Sequence, residues 1–354
     1  MPTLFDPLKL GDLTLPNRII MSPLTRSRAG SVRAPNELMA EYYAQRAAAG
    51  LIISEATSVT PMGVGYADTP GLWADEQVQG WKTVTKAVHE AGGRIFAQLW
   101  HVGRISAPLF LNGERPVAPS AIAAQGHVSL VRPEQEFVTP RALETSEIPG
   151  VVEAYRKAAM NAQMAGFDGV EIHGANGYLL DQFLQDSTNH RTDNYGGSIQ
   201  NRARLMLEVT DGVLSVWEPG QVGMHLAPRM DAHSMGDSDR LGTFTYIARE
   251  LGERGLAFIC AREHKAEDWI GPQLKKAFGG IYIANEGFTL DSAQAALASG
   301  EADAVAWGKL FIANPDLVER FAANAPLNEP DTSTFYAPGA QGYTDYPALE
   351  SVEA

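Results

Sequence analysis

Eight short apolar runs punctuate this chain, and the segments between them carry helical periodicity. The runs are Arg18–Met21, Leu51–Ser54, Ile95–Leu99, Gly169–Ile172, Val222–Leu226, Ala257–Cys260, Ile281–Ala284 and Ala304–Trp307. Each has the length of a buried strand and is too short for a core helix. Between them the spacing predicts helices over Glu37–Ala48, Glu76–Glu90, Val151–Ala165, Ile199–Val213, Phe244–Glu253 and Leu290–Ala298. Strand followed by helix, repeated eight times, predicts an α/β chain closed into a (β/α)₈ TIM barrel. The competing open, doubly wound sheet would follow its first strand with a G-x-G-x-x-G turn, and none stands there. A barrel commonly fills a chain of 354 residues as one domain, so residues 1–354 are read as one. One connection is unusually long. From His101 to Pro149 there is no helical pattern but many prolines and glycines, which predicts an excursion over the barrel mouth with small strands of its own. The tail from Pro326 reads as irregular.

Composition narrows the partners. A formal net charge of −14 argues against nucleic acid or an anionic membrane, leaving small molecules. Cys260 is the single cysteine, which excludes an internal disulfide and fits a reducing compartment. No apolar run approaches the roughly 20 residues of a membrane span. Met1-Pro2-Thr3-Leu4-Phe5-Asp6 lacks the basic and apolar regions of a secretory signal. The expectation is a cytoplasmic protein, monomeric or a homodimer.

In a barrel, chemistry sits where the strands end. Here those ends supply Ser22-Pro23-Leu24-Thr25-Arg26, Glu55-Ala56-Thr57, then Gln98, Trp100 and His101, then His173-Gly174-Ala175-Asn176-Gly177-Tyr178, then His225 and Arg229, then Asn285-Glu286-Gly287 and Gly308-Lys309. Polar and aromatic groups converging on one rim suit a flat polar ligand with an anionic tail. The last two loops of a barrel often bind phosphate, glycine allowing close approach and Lys309 adding charge; the plainer alternative is that Gly287 and Gly308 are turn glycines. His173 and Asn176 can both donate to one carbonyl or nitro oxygen and stabilise charge developing there. Tyr178, with a reference pKa of about 10, stays protonated and can deliver a proton. The alternative is a buried histidine and tyrosine satisfied by local backbone. His101 is read as orienting the long loop. His225, His233, Asp237 and Asp239 lack metal-ligand spacing, so no metal is expected.

These residues resemble the old yellow enzymes, the FMN-dependent ene-reductases, and within them the bacterial branch that includes N-ethylmaleimide reductase and pentaerythritol tetranitrate reductase. The resemblance spans nearly the whole chain. Its most specific stretch runs Gly166-Phe167-Asp168-Gly169-Val170-Glu171-Ile172-His173-Gly174-Ala175-Asn176-Gly177-Tyr178 and on through Thr188-Asn189-His190-Arg191-Thr192-Asp193-Asn194-Tyr195-Gly196-Gly197-Ser198 to Arg202. Pro23-Leu24-Thr25-Arg26 and Gln98-Leu99-Trp100-His101-Val102-Gly103-Arg104 match as well. Arg191, Asp193, Tyr195 and Arg202 read as scaffold pinning that loop.

The resemblance implies FMN across the barrel mouth, reduced by NADPH or NADH. Pro23, Leu24, Thr25, Ala56 and Gln98 would hold its ring, and Asn285, Glu286, Gly287, Gly308 and Lys309 its phosphate. His173 and Asn176 would bind the substrate oxygen, and Tyr178 would protonate the carbon α to it. Tyr66, Trp100, Trp269 and Tyr336 would wall the pocket. Activated C=C bonds are the implied targets: α,β-unsaturated carbonyl or nitro compounds, with nitrate esters as a further class.

Two positions depart from the family pattern. The fifth strand of the family ends in an arginine beside the flavin, and here His225 stands there; its reference pKa predicts weaker stabilisation of reduced flavin above about pH 6.5, with Arg229 too far along the chain to substitute readily. Lys309 replaces a second arginine and keeps the charge without the bidentate fork. Two competing readings remain at this point: a flavin-free barrel isomerase or aldolase using Glu55 as base, and an FMN-binding barrel whose turnover is impaired by His225.

Overall fold

A computed structural model describes residues 1–229 and 233–349. The apolar runs become eight barrel strands: β1 Ile19–Met21, β2 Leu51–Ile53, β3 Ile95–Trp100, β4 Gly169–Gly174, β5 Val222–Leu226, β6 Phe258–Arg262, β7 Ile281–Asn285 and β8 Ala304–Trp307. Every residue of β1 to β5 is buried, because a strand with helices outside and side chains inside has no solvent face. The ladder is parallel throughout and closes on itself. Ile20 pairs with Leu51, Ile52 with Ile95, Phe96 with Gly169, Val170 with Val222, Gly223 with Phe258, Phe258 with Ile281, Ile283 with Ala304, and Val305 returns to Ile19.

The barrel interior is packed. Phe96, Phe258, Ile20, Leu51, Ile283 and Ala304 form one apolar cluster, joined by Leu8, Leu10 and Leu15 of an N-terminal hairpin, Leu8–Leu10 against Leu13–Leu15. A side chain on Gly223 would intrude on the Phe258 ring, so the aromatic on β6 requires the glycine on β5.

The outer helices are α1 Glu37–Ala44, α2 Asp75–Glu90, α3 Ile148–Met164, α4 Leu179–Leu184, α5 Ile199–Leu214, α6 Arg240–Glu253, α7 Gly271–Phe278, α8 Leu290–Ala298, α9 Lys309–Ala313 and α10 Leu317–Ala323. Side-chain caps mark several starts: Asn36 accepts from the Met39 N–H, Ser198 from Asn201 and Thr289 from Ser292. The short helices α4, α7, α9 and α10 carry too few turns for periodicity to reveal them. Helix α1 stops at Ala44, earlier than the spacing predicts, and α6 begins earlier, at Arg240, where Asp239 accepts from the Gly242 N–H. The consequential difference is at β6. The apolar run ends at Cys260, but the strand continues through Ala261 to Arg262.

The long excursion carries a two-residue parallel ladder, Val117–Ala118 against Arg141–Ala142, and a bridge between His127 and Glu136. The tail is irregular apart from a turn at Thr332–Thr334, yet it is tied to the barrel mouth. Arg26 donates to the Gly342 carbonyl at 2.8 Å, Arg28 to Thr334 at 3.1 Å and Arg46 to Tyr343 at 3.3 Å, while Tyr343 stacks on Tyr42 at 4.1 Å.

Candidate active site

A cavity of about 560 Å³ opens at the C-terminal ends of the strands. Its walls come from strands distant in sequence: Pro23 and Leu24 after β1, Asn176 after β4, His225 on β5, Arg262 on β6, Asn285–Gly287 after β7 and Gly308–Lys309 after β8. Pro23, Leu24 and His225 therefore share one space with all five positions expected at a phosphate, while Thr25, Ala56 and Gln98 are not among the wall residues. Gly287 has φ +77°, a backbone region closed to most side chains, and a side chain at Gly308 would press on Leu24 at 3.0 Å.

Beside this cavity the β4 loop builds a cross-braced group. The His173 ring lies 5.1 Å from Tyr178, edge to face, and stacks 5.3 Å from His225. Trp100 packs edge-on against Tyr178 at 5.0 Å and parallel to Tyr66 at 5.5 Å. The Tyr178 hydroxyl shares a 2.8 Å hydrogen bond with that of Tyr66. Burial holds the Tyr178 phenol well above its ordinary range and holds His173 well below its own, so both are neutral at working pH. The Ala175 N–H donates to His173 Nδ1 at 3.3 Å, which leaves the proton on Nε2.

Asn176 sits at φ +58°, where asparagine is among the better-tolerated residues. Three contacts fix it. Asp181, buried under the loop, accepts from the Gly177 N–H at 2.8 Å; His233 donates to the Asn176 carbonyl at 2.9 Å; and Arg262 Nη1 donates to Asn176 Oδ1 at 3.2 Å. With Oδ1 occupied, the amide N–H₂ is the end that remains for a ligand.

Beneath the cavity a polar layer crosses the barrel. Gln98 Nε2 donates to Glu171 Oε2 at 2.7 Å and meets His225 Nδ1 at 3.3 Å. Burial pushes Glu171 up to about 8 and His225 down to about 3, the Arg262 charge adding to the latter. The expectation that His225 titrates near pH 6.5 is thereby corrected: a buried imidazole beside a guanidinium remains neutral. His225 Nε2 is buried without a protein partner next to the cavity, a donor or acceptor suited to a polar ring edge.

The remaining predicted residues divide. Ala56 joins Trp100, Tyr66 and Tyr178 in one small apolar cluster, and Thr25 is half-buried next to the wall residue Leu24. Tyr336 is 47% exposed and makes none of the ring contacts around Tyr178. Trp269 lies under the Lys265 ammonium at 4.9 Å and likewise joins none of them. His101 braces the loops: its Nδ1 accepts from Gly103 at 3.1 Å and its carbonyl from Leu179 at 3.0 Å. Arg229 is ion-paired to Asp268, away from His225. Asp237 pairs with Arg202 at 2.9 Å, and Tyr195 bonds Glu208 at 2.9 Å, as scaffold groups do. Glu55 accepts from the Arg26 N–H at 3.2 Å and faces Tyr43, pushed up to about 7 by burial; it is not among the wall residues of the cavity. Arg262 is the charged wall residue that sequence reading passed over. Its only signal was a cation two positions beyond an apolar run.

The family model for the NADH:flavin oxidoreductase / NADH oxidase family matches residues 3–328. The chain belongs to this family, the old yellow enzymes. It is an NAD(P)H-dependent flavin oxidoreductase with FMN as cofactor. It is 42% identical to 12-oxophytodienoate reductase 2 of Arabidopsis thaliana, across 98% of this chain and 96% of the relative. It is also 42% identical to a probable flavin mononucleotide-dependent alkene reductase of Leishmania infantum, across 98% and 97%. The structure of morphinone reductase in complex with tetrahydroNAD superposes with a TM-score of 0.96 at 50% identity, covering 100% of this chain and 99% of that one. An old yellow enzyme homologue from Zymomonas mobilis gives 0.96 at 46% identity, over 98% and 100%.

Proposed function

We propose that this chain reduces activated C=C bonds through the β4 loop, with His173 and Asn176 binding the substrate oxygen and Tyr178 supplying the proton. The reductase activity accords with the alkene reductases and 12-oxophytodienoate reductases to which the chain is similar. Bound FMN supplies hydride chemistry. The protein's part is to orient the alkene and manage charge. His173 Nε2–H and the Asn176 amide donate to a carbonyl or nitro oxygen, drawing electron density from the double bond and stabilising charge on that oxygen. Tyr178 protonates the carbon α to the activating group, and Tyr66 aims its hydroxyl. Trp100 and Tyr336 wall the substrate side. Pro23, Leu24, Thr25, Ala56, Gln98 and His225 hold the flavin ring, while Asn285, Glu286, Gly287, Gly308 and Lys309 hold the phosphate. NAD(P)H uses the substrate's own place in a preceding half-reaction. Enones, maleimides and nitroalkenes fit the donor pair, and nitrate esters offer the same kind of oxygen.

We take residues 1–354 as a single FMN-binding domain acting as a monomer or homodimer in the cytoplasm. In support, Cys260 is a buried free thiol, and among the described residues no helix is long and apolar enough to cross a membrane.

The observation that supports the assignment is that one short loop holds the His173 ring 5.1 Å from Tyr178 while its Asn176 lines the cavity. Anaerobic stopped-flow on Tyr178→Phe tests it. NADPH reduces the flavin in this variant at nearly the wild-type rate, and reoxidation by an enone slows about 10²–10⁴-fold, the usual worth of a positioned acid. Reoxidation at the wild-type rate would remove Tyr178 from the mechanism.

A further inference from the structure

Near its end the fifth strand carries a histidine rather than a fixed cation. His225 is buried, and the next arginine along, Arg229, is engaged with Asp268. Reducing a bound flavin nevertheless adds negative charge at the barrel mouth, and a nearby fixed cation stabilises such charge. The wall residues supply two candidates, Lys309 near the glycines of the last two loops and Arg262 opposite.

Register sets the level of Arg262 in the barrel. His225 pairs with Cys260 across β5 and β6, so Arg262, two residues on, projects from the same face one layer nearer the mouth. Its own ladder partner is Asn285, and all three of His225, Arg262 and Asn285 line the cavity. The guanidinium is held at both ends, Nη1 on Asn176 Oδ1 at 3.2 Å and Nε on Glu286 Oε2 at 2.5 Å. It is thus fixed before any ligand arrives, the condition under which a charge stabilises without reorganisation. Arginine keeps that charge at every working pH.

We propose that Arg262 is the cation that stabilises the reduced flavin in this protein, the charge having moved from the fifth strand to the sixth. The inference rests on the reading that the cavity receives the FMN ring. The same residue also turns the Asn176 amide, so one side chain serves the flavin's charge and the substrate's donor. Glu286 offsets part of the charge.

Spectroelectrochemical titration of three FMN-loaded variants tests this, alongside FMN binding in the oxidised state. Arg262→Met weakens binding of reduced FMN relative to oxidised by tenfold or more, and each tenfold loss lowers a two-electron potential by about 30 mV. Arg262→Lys retains most of the wild-type value. Glu286→Gln moves the potential the other way, by a few-fold in the same ratio, because it removes the opposing charge. A purely structural role for Arg262 would weaken both redox states alike and leave the ratio unchanged. The proposal is overturned if Arg262→Met keeps the wild-type potential. Should that variant fail to fold or to retain FMN, a Glu286→Gln potential that is unchanged or lowered overturns it instead. A wild-type chain that takes up no FMN would sink the flavin reading itself, and this inference with it.

Discussion

The end of β4 and the ends of β5 and β6 meet at one cavity but are built in different ways. The β4 side draws its three chemical groups from six consecutive positions, His173 to Tyr178, and braces them with rings and backbone bonds. The β5–β6 side is divided between strands, a neutral imidazole on one and a guanidinium two residues further along the other. Local sequence dictates the first arrangement, whereas the second exists only because two strands lie in register. The contrast teaches that hydrogen-bond donors aimed at a substrate need a fixed short loop, while a charge need only arrive at the right place, from whichever strand reaches it.

The sharpest way to break that contrast is on the β4 side. His173→Ala removes one of two donors to the substrate oxygen and lowers the rate of enone reduction about 10²–10³-fold, the common cost of a lost oxyanion donor. Steady-state kinetics with a cyclic enone measures it, and a change smaller than threefold would mean that the donors do not act in the transition state.

A smaller effect comes from the layer below, where Gln98 touches both sides. Burial pushes the Glu171 carboxyl up from an ordinary 4.5 to about 8 in the folded chain. The folded chain thus binds a proton that the unfolded chain has released between those values. Stability from this group is full below about pH 4.5 and falls as pH rises toward 8, by at most ~1.4 kcal/mol per pH unit. Glu171→Gln keeps an acceptor for Gln98 and carries no charge, so it flattens that slope and raises Tm more at pH 8 than at pH 5. Parallel melting curves for the two proteins would refute the assignment.

The smallest effect is on the β5 side. His225 is neutral from about pH 3 upward because burial disfavours the imidazolium. His225→Gln therefore leaves the pH dependence of the flavin potential unchanged between pH 5.5 and 8, roughly the range in which an exposed histidine would titrate. A new inflection, or the loss of one, would restore histidine as a charge carrier and weaken the distinction between the two sides.

Sequence alone determined the barrel, because strand burial on both faces writes itself as apolar runs and their number is the strand number. It also determined the β4 group, since neighbours on a short loop remain neighbours in space. Tertiary structure decided the rest. It placed Trp269 under Lys265 and outside the ring cluster around Tyr178, paired Arg229 with Asp268, and extended β6 far enough to carry Arg262 into the cavity. It also silenced His225, because a side chain's protonation depends on the solvent and charge around it, and neither is a property of the residue or of its place in the chain.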